Sequence, residues 1–392
     1  MKYDFDKLID RRGTSTYKHE FSQYYFGSDD ILPLWVADMD FETPDFIMDE
    51  VIKRANHRVL GYTVPSRTMN NIIAEWIERN HNWKIHSSWI KFMSGVLPSI
   101  AVALQTFSSE GDNVIIQSPI YPPFISIPKA NKRNVVFNQL KRVGNSYEMD
   151  LDDFRKKAKK GASVFIMSNP HNPAGIVWER ETLKEVAEIC HAYNILVISD
   201  EIHCDLVHPG HEHIPFATVS KKAREISITL MAPSKTFNIA GLGVSFCVVP
   251  DLKLRKKFYD ALNALHIAHS NMFAYIGLME AFKNGDDWLK QLKIYLRGNF
   301  DFALDYINRN ISQVKPFDAK ASFLLWLDFT EMGLNSKDLR KLMIEEGKIG
   351  MNNGADFGPG GEGFQRLNVG APRTVIEDAL RRIEKAVNNR GL

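Results

Sequence analysis

Between about residues 90 and 250 the chain alternates short apolar, β-branched runs with amphipathic stretches of helical length, and few folds satisfy that alternation. Successive strand–helix–strand units build a mainly parallel sheet with helices packed against it. Four runs matter most. "NVIIQ" (Asn113–Gln117) leads to Pro119 and Tyr121, "SVFIM" (Ser163–Met167) to "SNPHNPAG", "ILVIS" (Ile195–Ser199) to "DEIHCD", and "ISITLM" (Ile226–Met231) to Lys235. Each delivers polar or aromatic residues at its carboxyl end. Open α/β sheets bind ligands there, because adjacent crossovers part and leave a crevice, so four convergent strand ends locate a site.

Beyond about residue 285 the pattern changes to a long amphipathic helix, then "KASFLLWLDF", then a helical tail after Pro372. The expected α/β architecture is therefore a large domain over 45–285 and a smaller α+β domain formed by 1–44 with 286–392. A chain of 392 residues, 44% of them hydrophobic, can bury a core of that size. The balance of 49 Lys+Arg against 47 Asp+Glu creates no broad field for nucleic acid or anionic lipid, and neither partner is expected. The basic run "RKKAKK" (Arg155–Lys160) fits a solvated helix face. Cys190, Cys204 and Cys247 are odd in number and widely spaced, which suits neither a disulfide framework nor a zinc ribbon and implies a reducing compartment. The charged start "MKYDFDKLIDRRGT" lacks a signal-peptide core, and no stretch is long enough to span a membrane, so a cytoplasmic location is expected.

A lysine at a strand end is usually a surface residue with its amine in water. Lys235 pointing into an apolar crevice would behave differently: desolvation would lower its pKa from about 10.4 and give a neutral amine able to attack a carbonyl. Asp200 ends an apolar strand, where a bare carboxylate needs a positive partner. A structural arginine would serve, and so would a protonated pyridine nitrogen, whose charge keeps a pyridoxal ring electron-withdrawing. Asn172, in a turn fixed by Pro170 and Pro173, can donate its amide to a phenolate oxygen or act as an ordinary turn residue. His203 could give that oxygen a second bond or be a satisfied loop histidine. "SGVLPSIAVALQTF" reads as a glycine turn entering a helix, whose N–H groups at Val96 and Leu97 could form an anion site with a hydroxyl added by Ser234, or which could be a purely structural loop-to-helix turn. Tyr121 could stack on a ring, or simply pack in its proline-rich loop.

Three other patterns carry less. "GPGGEG" (Gly358, Gly360, Gly363) has the spacing of a dinucleotide fingerprint but leads into the strand-like "FQRLNVG". "HPGHEH" (His208, His211, His213) resembles a metal tract without a partner cluster, and no metal is expected. His203 beside Cys204 suggests a thiol pair, yet adjacent side chains generally diverge.

With Asp200 and Lys235 in place, the chain resembles the fold-type I pyridoxal-phosphate enzymes of the class I/II aminotransferase superfamily. More narrowly it resembles the cystathionine β-lyase-like carbon–sulfur lyases of the MalY/PatB type. "DRRGTSTYK", "LPLWVADMDFETP", "SNPHNPAGIVW", "SDEIHCDL", "APSKTFNIAGL" and "FQRLNVGAPR" carry the likeness over nearly the whole chain. The resemblance implies pyridoxal 5'-phosphate as cofactor and Lys235, Asp200 and Tyr121 as catalytic residues. Lys235 would hold the cofactor and move the substrate α-proton, Asp200 would pair with the ring nitrogen, and Tyr121 would stack on the ring. Asn172 and His203 would hold the phenolic oxygen, and Val96, Leu97 and Ser234 the phosphate. Arg366 in "FQRLN" would clamp the substrate α-carboxylate, as a bidentate guanidinium does. Tyr62 in "LGYTVP" would reach the phosphate of the neighbouring subunit, implying a homodimer. Many aminotransferases carry a phosphate-binding arginine after the lysine, where this chain has "AGLGVSF", so the phosphate must rely on backbone, hydroxyl and Tyr62 donors.

The implied activity is β-elimination from L-cystathionine or a related S-substituted L-cysteine, giving a thiol, pyruvate and ammonia. An aminotransferase of the same fold would use every residue above, and a sensor that binds the cofactor without turnover is a third reading. Against the sensor, the family motifs begin within the first twenty residues, so no preceding DNA-binding domain is expected.

Overall fold

The computed structural model describes residues 2–389. Seven strands form its large sheet: β1 (Ile90–Met93), β2 (Asn113–Ser118), β3 (Asn134–Gln139), β4 (Val164–Ser168), β5 (Leu196–Asp200), β6 (Ser227–Met231) and β7 (Ser245–Val248). Their order across the sheet is β1-β7-β6-β5-β4-β2-β3. The five strands from β6 to β3 run parallel, and β7 is antiparallel to both β6 and β1. Every residue of β4, β5 and β6 is buried, as expected for parallel strands covered on both faces.

The period of two along each strand decides which helices its side chains meet. Val114, Ile116, Ile166, Ile198 and Leu230 pack with Ile100 and Leu104 of helix Val96–Phe107 and with Phe258 and Leu262 of helix Leu252–Ala264. Ile115, Phe165 and Val197 point the other way, onto Phe154 of helix Leu151–Lys159 and Leu183, Val186 and Ile189 of helix Arg180–Ala192. Ser168 and Asp200 share the parity of Ile166 and Ile198, which directs both toward the face covered by helix Val96–Phe107. From β2 the chain crosses outward to the edge strand β3, whereas from β4 it crosses the opposite way to β5. Neighbours β2 and β4 therefore part at their carboxyl ends, which is where a crevice belongs.

A second, antiparallel sheet has the order β8-β9-β11-β10, with β8 (Lys315–Pro316), β9 (Leu324–Asp328), β10 (Asn352–Asn353) and β11 (Phe364–Asn368). Near the N-terminus, Leu32–Pro33 pairs in parallel with Ile349–Gly350. The 25-residue helix Asp286–Asn310 joins both parts of the molecule. Its Trp288, Leu292 and Leu296 pack with Trp76 and Phe237, and its Phe300, Ala303 and Ile307 pack with Leu325, Leu327 and Leu367 of the second sheet. Among the described residues, no helix is long and apolar enough to cross a membrane.

Candidate active site

A cavity of about 270 Å³ opens at the carboxyl ends of β2, β4 and β5. Its walls include Ala37, Val96, Leu97, Tyr121, Asn172, Asp200, His203, Ser234 and Lys235. Eight of those nine come from the sequence assignment; Ala37 does not.

Asp200 closes β5 in register with Ser168 of β4. Its carboxylate accepts from the Ile202 N–H at 3.1 Å and forms no ion pair with a described residue. Burial drives its pKa up to about 7, and the Ile202 bond and the Lys235 charge only partly oppose that. Lys235 sits in the turn after β6, where its Nζ donates to the Ala37 carbonyl at 2.6 Å. Burial brings the amine down to about 8 against the nearby Asp38 carboxylate, which favours the ammonium. The cavity thus contains an amine poised to be neutral and a carboxylate lacking a cation.

Ala37 belongs to a strap over residues 35–41 that is tied down by its own carbonyls. Arg366 donates to Trp35 O at 3.1 Å, Asn368 Nδ2 to Val36 O at 2.7 Å and Asp38 O at 2.6 Å, and Asn238 Nδ2 to Met39 O at 2.9 Å and Phe41 O at 2.8 Å. Buried Lys18 and half-buried Arg11 pair with Asp38 and Asp40 and fix the strap from behind.

Arg366 lies mid-strand in β11, facing Trp326 and Asn352, and is buried. Its guanidinium donates to Asn172 Oδ1 at 2.9 Å and Asn352 Oδ1 at 2.7 Å, while Nε has no partner. By occupying the oxygen of the Asn172 amide, Arg366 leaves that amide's nitrogen free to donate. His203 is buried with Nδ1 unpartnered, and desolvation lowers it to about 3, so it is a neutral imidazole. Tyr121 borders the same space, its phenol raised by burial.

The opposite wall is the start of helix Val96–Phe107. The Val96 and Leu97 N–H groups precede any intrahelical acceptor, and Pro98 has no N–H to contribute. Ser234 stands beside them, and no arginine lines the cavity among the described residues. Tyr62 lies elsewhere: it is fully exposed and outside this cavity. "GPGGEG" is a turn into β11, with Gly358 and Gly363 at φ of +89° and +80°, so it opens no helix for a dinucleotide. The "HPGHEH" histidines disperse. His208 bonds Ser322 O at 2.8 Å, His213 bonds Glu201 at 2.7 Å, and His211 is exposed.

The chemistry that fits this cavity is a group with a carbonyl for Lys235, a protonated nitrogen for Asp200 and an anion for the helix start. Fold and site together define a class I/II aminotransferase-type enzyme: the chain belongs to the aminotransferase class I and II family, which it matches over residues 29–383. It is similar to cystathionine beta-lyase PatB of Bacillus subtilis, with 38% identity over 386 residues covering 98% of this chain and 100% of the relative. Among solved structures it is similar to cystalysin of Treponema denticola, which contains a pyridoxal 5'-phosphate cofactor, at a TM-score of 0.96 and 30% identity over 100% of both chains. It is also similar to a PLP-bound protein of Clostridium difficile 630 provisionally assigned as an aminotransferase, at a TM-score of 0.96 and 40% identity over 98% of this chain and 100% of that one.

The unpaired Asp200 sets a pH signature on the ligand-free protein. Between the unfolded value of 3.8 and the folded value of about 7, the native state holds a proton that the unfolded chain has lost. Native stability from this group therefore falls as pH rises, by about 1.4 kcal/mol per pH unit across the window. Lys235 is protonated in both states there and adds nothing. Urea unfolding of the ligand-free Asp200→Asn variant should show it gaining on ligand-free wild type from pH 4 to pH 7. A difference that does not change with pH would mean that Asp200 is already satisfied by the chain.

Proposed function

We propose that this protein cleaves the Cβ–S bond of L-cystathionine, or of a related S-substituted L-cysteine, releasing a thiol, pyruvate and ammonia. The observation that carries the reading is the buried Asp200 carboxylate, unpaired and facing the same cavity as the Lys235 amine. Similarity to a cystathionine β-lyase along the whole chain supports it. The cofactor is pyridoxal 5'-phosphate, which when bound supplies an electron sink for the charge left at Cα once its proton departs.

The remaining work falls to the chain. Lys235, at about 8, is neutral in part near physiological pH and can take the α-proton and return it. Asp200 would keep the ring nitrogen protonated. Asn172, oriented by Arg366, would donate to the phenolic oxygen, and His203 would add a second bond to it. Tyr121 would stack on the ring, while the Val96 and Leu97 N–H groups and the Ser234 hydroxyl would hold the phosphate. Arg366 does not itself line the cavity but bonds Asn172, which does, and it would take the substrate carboxylate, its Nε having no protein partner. A thiolate at the β-carbon leaves far more readily than hydride or carbon, so elimination needs no second substrate.

The proposed setting is the cytoplasm, where the three free cysteines stay reduced, and the proposed assembly is a homodimer. Val59, Leu60, Tyr62 and Val64 form an exposed apolar stretch that one chain leaves uncovered, which suits a second copy. Tyr62 from that copy would complete the phosphate site.

L-Cystathionine alone, without added 2-oxo acid, should give many turnovers to homocysteine, pyruvate and ammonia. A single turnover with the C–S bond intact, followed by arrest until a 2-oxo acid is supplied, would identify an aminotransferase instead. The assembly has its own test in mixed dimers that pair a Tyr62→Phe subunit with a Lys235→Ala subunit. If Tyr62 acts across the interface, the one lysine-bearing site faces an intact tyrosine and keeps near-normal cofactor affinity; a weakened site would place Tyr62 in its own subunit.

A further inference from the structure

Five residues beyond Asp200, one turn of 3₁₀ helix (Cys204–Leu206) carries Asp205. Asp205 is buried, and three side chains from two other segments meet its carboxylate. Trp76 Nε1 and His81 Nε2, both on helix Met69–His81, donate to Oδ1 at 3.1 and 2.8 Å. Thr236 Oγ1 donates to Oδ2 at 2.8 Å. Burial pushes the carboxyl up, but the His81, Thr236 and Trp76 bonds outweigh it and hold Asp205 ionised. Thr236 is the residue after Lys235, and His203 stands two places before Asp205. One carboxylate therefore ties the turn that bears the amine to the segment that follows Asp200 and bears His203.

The bonds matter because packing behind the turn is incomplete. A cavity of about 560 Å³ lies there, bordered by His81, Cys204, Asp205, His213 and Lys293. The ligand atoms of His81, Cys204 and Asp205 fall within 4.8 Å of one another, the spacing of a metal site. The donor chemistry argues for a hub instead. Both Asp205 oxygens already accept hydrogen bonds, and the His81 Nε2 that a metal would need donates to one of them.

We propose that Asp205 is a positioning residue for the reaction at Lys235: by holding the Thr236 hydroxyl on one oxygen and Trp76 and His81 on the other, it sets the lysine against Asp200 and His203. The inference rests on the reading of Lys235 and Asp200 as the two ends of the cofactor site. A lysine reaches its target through four rotatable bonds, so its amine is only as well placed as its Cα. The turn around that Cα is closed by Phe237 N to Pro233 O at 2.9 Å and Ile239 N to Ser234 O at 3.1 Å, and Thr236 Oγ1 anchors it to the rest of the fold. A displacement near 1 Å at a reacting group can cost about a hundredfold in rate.

The test removes one hydroxyl and leaves the carboxylate in place. In the pyridoxal-phosphate-loaded protein, Thr236→Val should lower kcat for L-cystathionine about tenfold with KM changed less than about threefold, because substrate still binds while the amine is misplaced. The visible circular dichroism of the bound cofactor should change with it, and Thr236→Ser, which restores the hydroxyl, should recover both. If Thr236→Val does not fold, Thr236→Ala carries the same expectations. A variant that melts earlier but keeps wild-type kcat and cofactor dichroism would overturn the proposal, as would a Thr236→Ser variant no better than valine. The dichroism needs no particular substrate, so it judges Asp205 even if wild type fails to cleave L-cystathionine.

Discussion

A carboxylate at the buried end of a parallel strand is unfavourable unless a positive charge meets it, and Asp200 has none from the described residues of its own chain. Most of the site can be understood as an arrangement around that deficit. Fixed strand parity aims Asp200 at the face covered by helix Val96–Phe107, whose free N–H groups attract an anion. Across the same space, desolvation lowers the Lys235 amine to about 8, so that it loses its proton far more readily than an exposed lysine. A ligand that satisfies all three at once presents a carbonyl, a protonated nitrogen and a phosphate-like group in one small molecule. The cofactor of this family has that composition.

The second sheet contributes orientation. Arg366 comes from β11, far along the chain, yet it fixes the Asn172 amide and holds the strap whose Ala37 carbonyl accepts from Lys235. The strap is secured in turn by buried Lys18 with Asp38 and Asp40. Arg366, Asn172 and Lys235 are therefore mechanically joined through the strap, and weakening it would be felt at Lys235 as well as at Arg366.

Sequence reading reached the strand ends because local signals mark them: a β-branched run, then a polar residue, then a turn. Asp200, Lys235, Asn172 and Tyr121 were legible in that way, and the mainly parallel sheet followed from the same runs. Val96 and Leu97 were legible from a glycine turn and a helix start, and Ser234 as the hydroxyl beside Lys235. Ala37 was not, although it stands inside the quoted "LPLWVADMDFETP", because its contribution is a backbone carbonyl and no residue type announces one. The Asp205–Thr236 bond was equally hidden. It joins positions 31 residues apart through side chains that each read as an ordinary loop polar group. Parity along β5 could not suggest it, since Asp205 lies past the strand, where the alternation ends.

Borohydride reduction of the purified holoprotein, followed by proteolysis and peptide mapping by mass spectrometry, tests the central assignment most directly. Reduction converts a carbonyl-derived link between cofactor and lysine into a stable amine. The predicted result is cofactor attached to Lys235 alone, with the visible absorbance lost on reduction. Attachment to a different lysine, or no attachment while cofactor stays bound, would contradict the placement of the reaction between Lys235 and Asp200.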